Sequence, residues 1–361
     1  MRPIAKRGTP EQCGAPKAGP NCYQMQTVPG PAVSIAIPAY NEEAYIDRCL
    51  EAIEAQDYPN IVEVLVADGR STDRTRELAA GHELVRILDN PARNRPAALN
   101  VAMAAAKGEI FVRVDARTIV DYDYVSRSVR ALSETGAAVV GGPMRFSASN
   151  ALQRGIASAM TSRLGAGPAQ FRRLTGPARF VDTVYLGSFK TATLRALGGY
   201  DDVFGGNEDA ELNHRAKYEG GVWLDPEIRS VYAVREGLAA LWGQFRRYGH
   251  ARAGTMRKHP ASIAPRQLAV PALIVGLISP WRRYVLAAYV AAVVGRGSVE
   301  LAKDPASAPG FMVALPTMHA AWAVGFAEKI FLNREPEGGQ SPGRRATDRD
   351  GDSTDKEGRG H

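Results

Sequence analysis

The residues most suggestive of chemistry stand where an apolar run ends. Residues 110–120 read IFVRVDARTIV, so Asp115 closes a buried strand and is followed by Ala116 and Arg117. A carboxylate at a strand end can bind a divalent cation that bridges a diphosphate, because magnesium often uses one or two protein carboxylates and keeps several waters. Arg117 adds a permanent positive charge able to fork onto phosphate oxygens. The plain alternative is a surface Asp–Arg pair of little energetic weight. A second acidic pair, Glu208–Asp209, follows a glycine pair and Asn207 in FGGNEDAELNHRA and opens a helix. First-turn acids complement the helix dipole, which alone accounts for the pair. The same dipole is expected to keep Asp209 ionised, as a general base for a hydroxyl must be.

Two further clusters lie near the start of the chain. In IPAYNEE, Tyr40 is placed to lie near a nucleobase and Glu42 to accept from base or ribose. In ADGRSTDRT, Asp68 ends a strand and Ser71 is expected to cap the next helix; alone, such an Asp-Gly turn is ordinary punctuation. Downstream, WGQFRRYGHAR puts Gln244, Arg247 and Tyr248 on one helix face or turn, near the diphosphate. The competing reading is a basic amphipathic helix lying on a membrane.

The elements that must position these groups alternate. VSIAIP reads as a buried strand, and Asn41, Glu42 and Glu43 are expected to open a helix bearing Ile46, Leu50 and Ile53. EVLVAD is a second strand ending at Asp68; STDRTRELAAG is a helix stopped by Gly81; LVRIL is a third strand. Pro96 begins a helix carrying Leu99 and Met103, and EIFVRVD is the fourth strand. This βαβα alternation predicts an α/β fold with a mostly parallel sheet covered on both faces. Ligands of such sheets bind beyond the carboxyl ends of the strands, where Tyr40, Asp68 and Asp115 fall. There is no GxGxxG or Walker loop, which argues against a dinucleotide dehydrogenase and an NTPase.

The 361 residues carry a net charge of +7 with an uneven distribution. From Gly237 to Val299 there is no acid but nine Lys or Arg residues, a pattern suited to an anionic cytoplasmic leaflet. Apolar segments follow at Leu268–Ser279, Tyr284–Gly295 and Phe311–Phe326. The first two are 12 residues long, against the roughly 20 needed to span a bilayer. They are expected to form a re-entrant hairpin or an interfacial pair, or else a helical appendage on the catalytic domain. Cys49 reads as a small buried hydrophobe, and with Cys13 and Cys22 shows no zinc spacing; a reducing compartment is the simpler reading. No apolar run follows the basic N-terminus, so no signal peptide is expected. The chain divides into a disordered head (1–30), a catalytic domain (31–260), an apolar, membrane-associated helical region (261–332) and a disordered charged tail (333–361).

Taken together, SIAIPAYNEEAYIDRCLEAI, VLVADGRSTDRT, NPARNRPAALNVAMAAAKGEIFVRVDA and the stretch from DTVYLGSFK to IRSVY resemble the inverting family 2 glycosyltransferases over about residues 33 to 260. QFRRYGHAR, RKHPASIAPRQLAVP and MHAAWAVGFAEKI are similar to the subgroup of succinoglycan-biosynthesis glucosyltransferases. The resemblance implies a GT-A fold, a Rossmann-like sheet followed by C-terminal apolar helices. By motif, it implies that Ala39, Tyr40, Glu42 and Asp68 bind a uridine nucleotide and that Asp115 sits at the metal and diphosphate. Glu208 and Asp209 would hold and deprotonate the acceptor, with Asp209 the base. Gln244, Arg247 and Tyr248 stand where the family has Gln-x-x-Arg-Trp. The subgroup carries Asp-Ala-His where this chain has Asp-Ala-Arg, and a guanidinium cannot ligate a metal. Mg2+ or Mn2+ would therefore rest on Asp115, with Arg117 holding the diphosphate directly.

The implied activity is transfer of a sugar, glucose from UDP-glucose, to a hydroxyl of a lipid-linked or polysaccharide acceptor at the cytoplasmic face of the cell membrane. The rival readings are a sugar nucleotidyltransferase, opposed by the lack of a Gly-rich basic loop after the first strand, and a non-catalytic membrane scaffold of the same fold. Nucleic acid is not an expected partner, since the basic run continues into apolar sequence without a recognition motif.

Overall fold

The computed structural model describes residues 30–166, 176–201, 208–260, 263 and 268–332. The expected disordered head (but for residue 30) and the charged tail lie outside the described residues, as does Asn207.

The first half of the fold is β1 (Val33–Ala39), α1 (Ile46–Glu54), β2 (Ile61–Asp68), α2 (Thr75–Ala79), β3 (Val85–Asp89), α3 (Arg95–Ala105), β4 (Ile110–Arg113), β5 (Thr118–Val120), α4 (Tyr124–Thr135), β6 (Val139–Gly142) and β7 (Met144–Ser147). Then come α5 (Ala151–Thr161), α6 (Arg163–Ala166), β8 (Arg179–Val181), β9 (Tyr185–Lys190), α7 (Thr191–Ala196), α8 (Glu208–Ala216), β10 (Val222–Leu224) and β11 (Ser230–Ala233). Among the described residues, four helical elements follow the last strand: α9 (Leu238–Lys258), α10 (Ala269–Ile278), α11 (Arg282–Lys303) and α12 (Ala308–Ala327), which ends in a π-helical turn at Glu328–Leu332.

Eight strands form one sheet in the order β3-β2-β1-β4-β9-β6-β10-β8, and β5-β11-β7 form a small second sheet. The β3-β2-β1-β4 half is parallel throughout, and β9 enters antiparallel between β4 and β6. The fold is thus the mixed, mostly parallel α/β architecture expected. Its apolar strands are buried on both sides, and their side chains alternate between two cores. Ile35, Ile37, Val64, Val66 and Val112 pack on one side with Leu50 of α1 and Tyr124 and Leu132 of α4. Ala36, Leu65 and Phe111 pack on the other with Leu99 of α3, Leu194 of α7 and Leu212 of α8.

Two predicted helix starts are displaced. Asn41 adopts a left-handed φ of 52°, and α1 begins only at Ile46. Ser71 caps nothing: its hydroxyl donates to Asp68 at 2.5 Å and accepts from the Asn41 amide at 2.9 Å, and α2 begins at Thr75. The reason is a zipper between the two loops. The Glu42 amide donates to Thr75 Oγ1, Thr72 N to Asn41 Oδ1, and Arg74 N to Glu43 Oε2. Side chains that favour helix caps here satisfy a neighbouring loop instead. By contrast, α3 starts as read, with Asn94 accepting from Ala97 N and proline in the first turn.

The C-terminal helices differ more from expectation. The second apolar segment is the core of α11, 22 residues long, which runs on through Gly295 and includes an Arg296–Glu300 pair one turn apart. Helices α11 and α12 with its extension are long and apolar enough to cross a membrane, by length and composition only. Yet α12 is a packing helix: Phe311, Ala314, Leu315, Met318 and Ala321 are buried in a third core with α5 and α9. Glycines permit this close crossing. A β-carbon at Gly249 of α9 would collide with the Trp322 carbonyl, and one at Gly325 of α12 with the Arg246 carbonyl. Arg246 also pairs with Glu328 at 2.8 Å. No residue of α10 is buried.

Candidate active site

Strand pairing brings the motif residues to one edge. Ala39 ends β1 opposite Asp68 at the end of β2, and Ala36 is level with Arg113 of β4, so the chain reaches Asp115 about level with Pro38, one residue short of Ala39. Tyr40 leaves this edge with its ring 45% exposed and the Arg93 guanidinium 5.9 Å from its centroid. It offers an open aromatic face. Ala39 is buried, and its carbonyl accepts from Gly69 N at 2.8 Å. Asp68 is fully buried; Oδ1 accepts from the Ser71 hydroxyl, and Oδ2 from the Ser71 amide and Arg76 Nη1. Its carboxylate therefore builds the loop and keeps few free lone pairs.

The centre of the site is a residue the sequence reading passed over. Arg113 lies in β4 on the Phe111 side of the strand, where α8 packs, and is 1% exposed. Its Nε donates to Asp115 Oδ1 at 2.9 Å, Nη2 to Glu208 Oε1 at 3.2 Å, and Nη1 pairs with Asp209. One guanidinium thus joins the strand-end acid to both first-turn acids of α8. A buried cation is tolerable only when paired in this way. Arg95, at the start of α3, adds a second cation on Glu208 at 3.1 Å. The available signal was an arginine inside the otherwise apolar run IFVRV.

Electrostatics divide the acids. Burial pushes Asp115 and Glu208 up, but attraction to Arg113 and Arg95 outweighs it, and both carboxyls sit below their usual range. Asp209 behaves oppositely. Burial, together with repulsion from Glu208 and Asp115, outweighs Arg113 and raises it to about 7. The expectation that the helix dipole keeps Asp209 ionised is therefore corrected: desolvation is the larger effect. A carboxyl so raised is suited to exchanging a proton near neutrality.

Arg117 does not reach toward Asp115. Its Nε lies 2.8 Å from Glu42 Oε2, and its guanidinium stacks 4.4 Å from the Tyr45 ring centroid. On α9, Gln244 is buried and donates to Tyr248 Oη at 2.8 Å, one turn on, while Arg247 opens to solvent between them. The charges of Arg95 and Arg235 act on Arg247, and those of Arg95, Arg235 and Arg117 on Tyr232, so this part of α9 lies within electrostatic reach of the site's arginines.

Among the described residues, no group of three or more His, Cys, Asp or Glu side chains could hold a metal ion. Asp115 is the carboxylate expected from the sequence to hold a cation, and both its oxygens already face Arg113. The donor set does not fit a cation held by the protein alone.

Residues 34–193 match the model of glycosyl transferase family 2. The chain is 34% identical over 312 residues to the succinoglycan biosynthesis protein ExoA of Rhizobium meliloti, covering 82% of this chain and 94% of that protein. It is 30% identical over 240 residues to the dolichyl N-acetyl-alpha-D-glucosaminyl phosphate 3-beta-D-2,3-diacetamido-2,3-dideoxy-beta-D-glucuronosyltransferase of Methanococcus voltae, covering 63% and 74%. The mannosyltransferase PcManGT from Pyrobaculum calidifontis, solved with GDP-Man and Mn2+, shares the fold with a TM-score of 0.55 at 23% identity, over 84% of this chain and 88% of that one.

Proposed function

The chain belongs to glycosyl transferase family 2, and from that premise we propose that it transfers a sugar from a nucleotide diphosphate to a hydroxyl acceptor with inversion. The observation that carries this is the meeting of Asp115 with Glu208 and Asp209 around Arg113 at the carboxyl edge of the sheet. The nucleoside lies over Tyr40 and Ala39, with Glu42 and the Asp68 loop beside it. Asp209 takes the proton of the acceptor hydroxyl as its oxygen bonds to the anomeric carbon. The bond from that carbon to the diphosphate breaks on the opposite face. Glu208, fixed by Arg113 and Arg95, orients the acceptor. Positive side chains at the rim, Arg247 among them, stabilise charge on the leaving group. Mg2+ or Mn2+, when bound at Asp115, would screen the same charge.

UDP-glucose is the proposed donor, on the strength of the likeness to the succinoglycan biosynthesis protein. A lipid-linked or polysaccharide acceptor at the cytoplasmic membrane face suits the C-terminal helices. Val275, Ile278, Trp281, Tyr284, Leu286 and Val290 are exposed along α10 and α11, and Arg282 and Arg283 lie at the turn between them. Such a hairpin suits a bilayer interface, with its aromatic and arginine tips at headgroup level. The test is incubation with radiolabelled UDP-glucose, and with GDP-mannose in parallel, on membranes as acceptor source. Label entering the lipid or polymer fraction with release of UDP is expected. Hydrolysis or exchange without transfer, or no turnover of any nucleotide sugar, overturns the reading.

A further inference from the structure

The cations around the proposed site sort into those already neutralised and those left over. Arg113 is bound by three carboxylates, Arg95 by Glu208 and Arg117 by Glu42. Arg235 and Arg247 form no ion pair or hydrogen bond among the described residues. Arg235 Nε is moreover buried, so its donor is withdrawn from water without an acceptor. A buried N–H left unmade is costly, and such exceptions ask for a missing partner.

The placement of Arg235 says what that partner is. It lies two residues past β11, which pairs antiparallel with β5. Ala233 N donates to the Arg117 carbonyl at 3.2 Å, so the chain beyond Ala233 continues alongside the Asp115–Arg117 turn. The Arg235 charge acts on Asp115 and Glu42 and, from the other side, on Arg247 of α9. Two like charges thus lie within electrostatic reach of one another near the strand-end acids, and neither forms an ion pair among the described residues. Arginine forks match phosphate oxygens in geometry and charge, and a diphosphate supplies several such acceptors.

We propose that Arg235, acting with Arg247, is the receptor for the diphosphate of the donor nucleotide and carries much of the charge neutralisation that a metal held by two acids would otherwise supply. This rests on the nucleotide-sugar reading above. Asp115 keeps its place at the rim, but the diphosphate no longer depends on a cation there. Arg235 stands well away from Asp115 and Arg117 in sequence, and the β5–β11 pairing brings its strand alongside theirs.

The test is calorimetric titration of UDP, GDP and UMP into wild type, Arg235→Ala and Arg235→Lys, each in EDTA and in manganese. Wild type is expected to bind UDP in EDTA. Arg235→Ala should weaken UDP at least tenfold in EDTA and lower the ratio of UDP to UMP affinity, with an unchanged melting curve. Arg235→Lys should fall between them, since it retains the charge and loses the fork. Equal UDP affinity in wild type and Arg235→Ala overturns the proposal, as does wild-type binding that requires manganese. Wild type binding neither UDP nor GDP even with manganese overturns the nucleotide-sugar reading itself, and this proposal with it.

Discussion

Arg113 Nη2 lies 3.2 Å from Glu208 Oε1, and both side chains are 1% exposed. The pair joins the middle strand of the sheet to the first turn of α8, and the remaining guanidinium nitrogens hold Asp115 and Asp209. The site's carboxylates are therefore organised around a cation that the chain itself supplies. Removing that cation would leave Asp115, Glu208 and Asp209 close together with Arg95, paired to Glu208, as a remaining countercharge.

Arg113→Met is expected to cost about 3–5 kcal/mol of stability, the usual consequence of deleting one partner of a buried pair. Arg113→Lys should recover part of this, but a single ammonium cannot bridge all the acids, so kcat should stay low. Chemical denaturation and steady-state kinetics read the two effects separately. Wild-type stability in Arg113→Met would mean that the acids are held by other contacts.

Asp209→Asn removes the proposed base and one of the three carboxylates on Arg113, while Asp115 and Glu208 still hold that guanidinium. Turnover should fall by about 10²–10⁴-fold, the usual weight of general base catalysis. UDP affinity should change less than twofold, because the proposed role of Asp209 is toward the acceptor and not the nucleotide. An Asn variant with near-normal kcat would refute the role.

Glu211 gives the fold a pH dependence. Burial alone would raise its pKa, but hydrogen bonds from Arg215, His259 and Lys258 outweigh it and hold the carboxyl at about 2, from an ordinary 4.5. A depressed folded-state pKa contributes stability above the unfolded value and loses it as pH falls from 4.5 toward 2. The contribution at neutral pH is about 2 kcal/mol after allowance for solvent around the partly exposed Lys258. Glu211→Gln should lose it at pH 7 and flatten the acid limb of stability against pH. An unchanged acid limb would contradict the assignment.

Gly249→Val sets a side chain against the Trp322 carbonyl where α9 crosses α12. Overpacking of this kind costs about 1–3 kcal/mol. Because α9 also carries Gln244, Arg247 and Tyr248, activity should fall together with the melting temperature. A variant that melts like wild type would show that the two helices separate without penalty.

The α10–α11 hairpin should bind vesicles containing anionic lipid. Replacing Arg282 and Arg283 by alanine should weaken binding by about 1 kcal/mol per charge, an effect abolished by high salt. Trp281 emission should shift to the blue on binding in the wild type. Equal co-sedimentation of both proteins with neutral and anionic vesicles would remove the electrostatic part of the proposal.

The sequence by itself determined the parallel half of the fold and the edge on which the motifs lie. VSIAIP, EVLVAD and IFVRV are apolar runs too short for helices, as strands of a parallel sheet covered on both faces must be. Pro96 likewise announced α3, because a proline is accommodated in a helix's first turn. Tertiary structure decided the rest, wherever a side chain's partner lies far along the chain. Asn41 and Ser71 have the chemistry of helix starts, but the neighbouring loop offers stronger hydrogen bonds. The dipole at Asp209 and its neighbour Glu208 were legible, whereas its desolvation and the approach of Asp115 were not, and these raise its pKa to about 7. Arg113 meets acids nearly a hundred residues away, and Arg235 reaches the strand-end rim through the small second sheet. Local sequence carries propensity and pattern; burial and charge pairing, which settle what a titratable group does, exist only once distant segments are packed together.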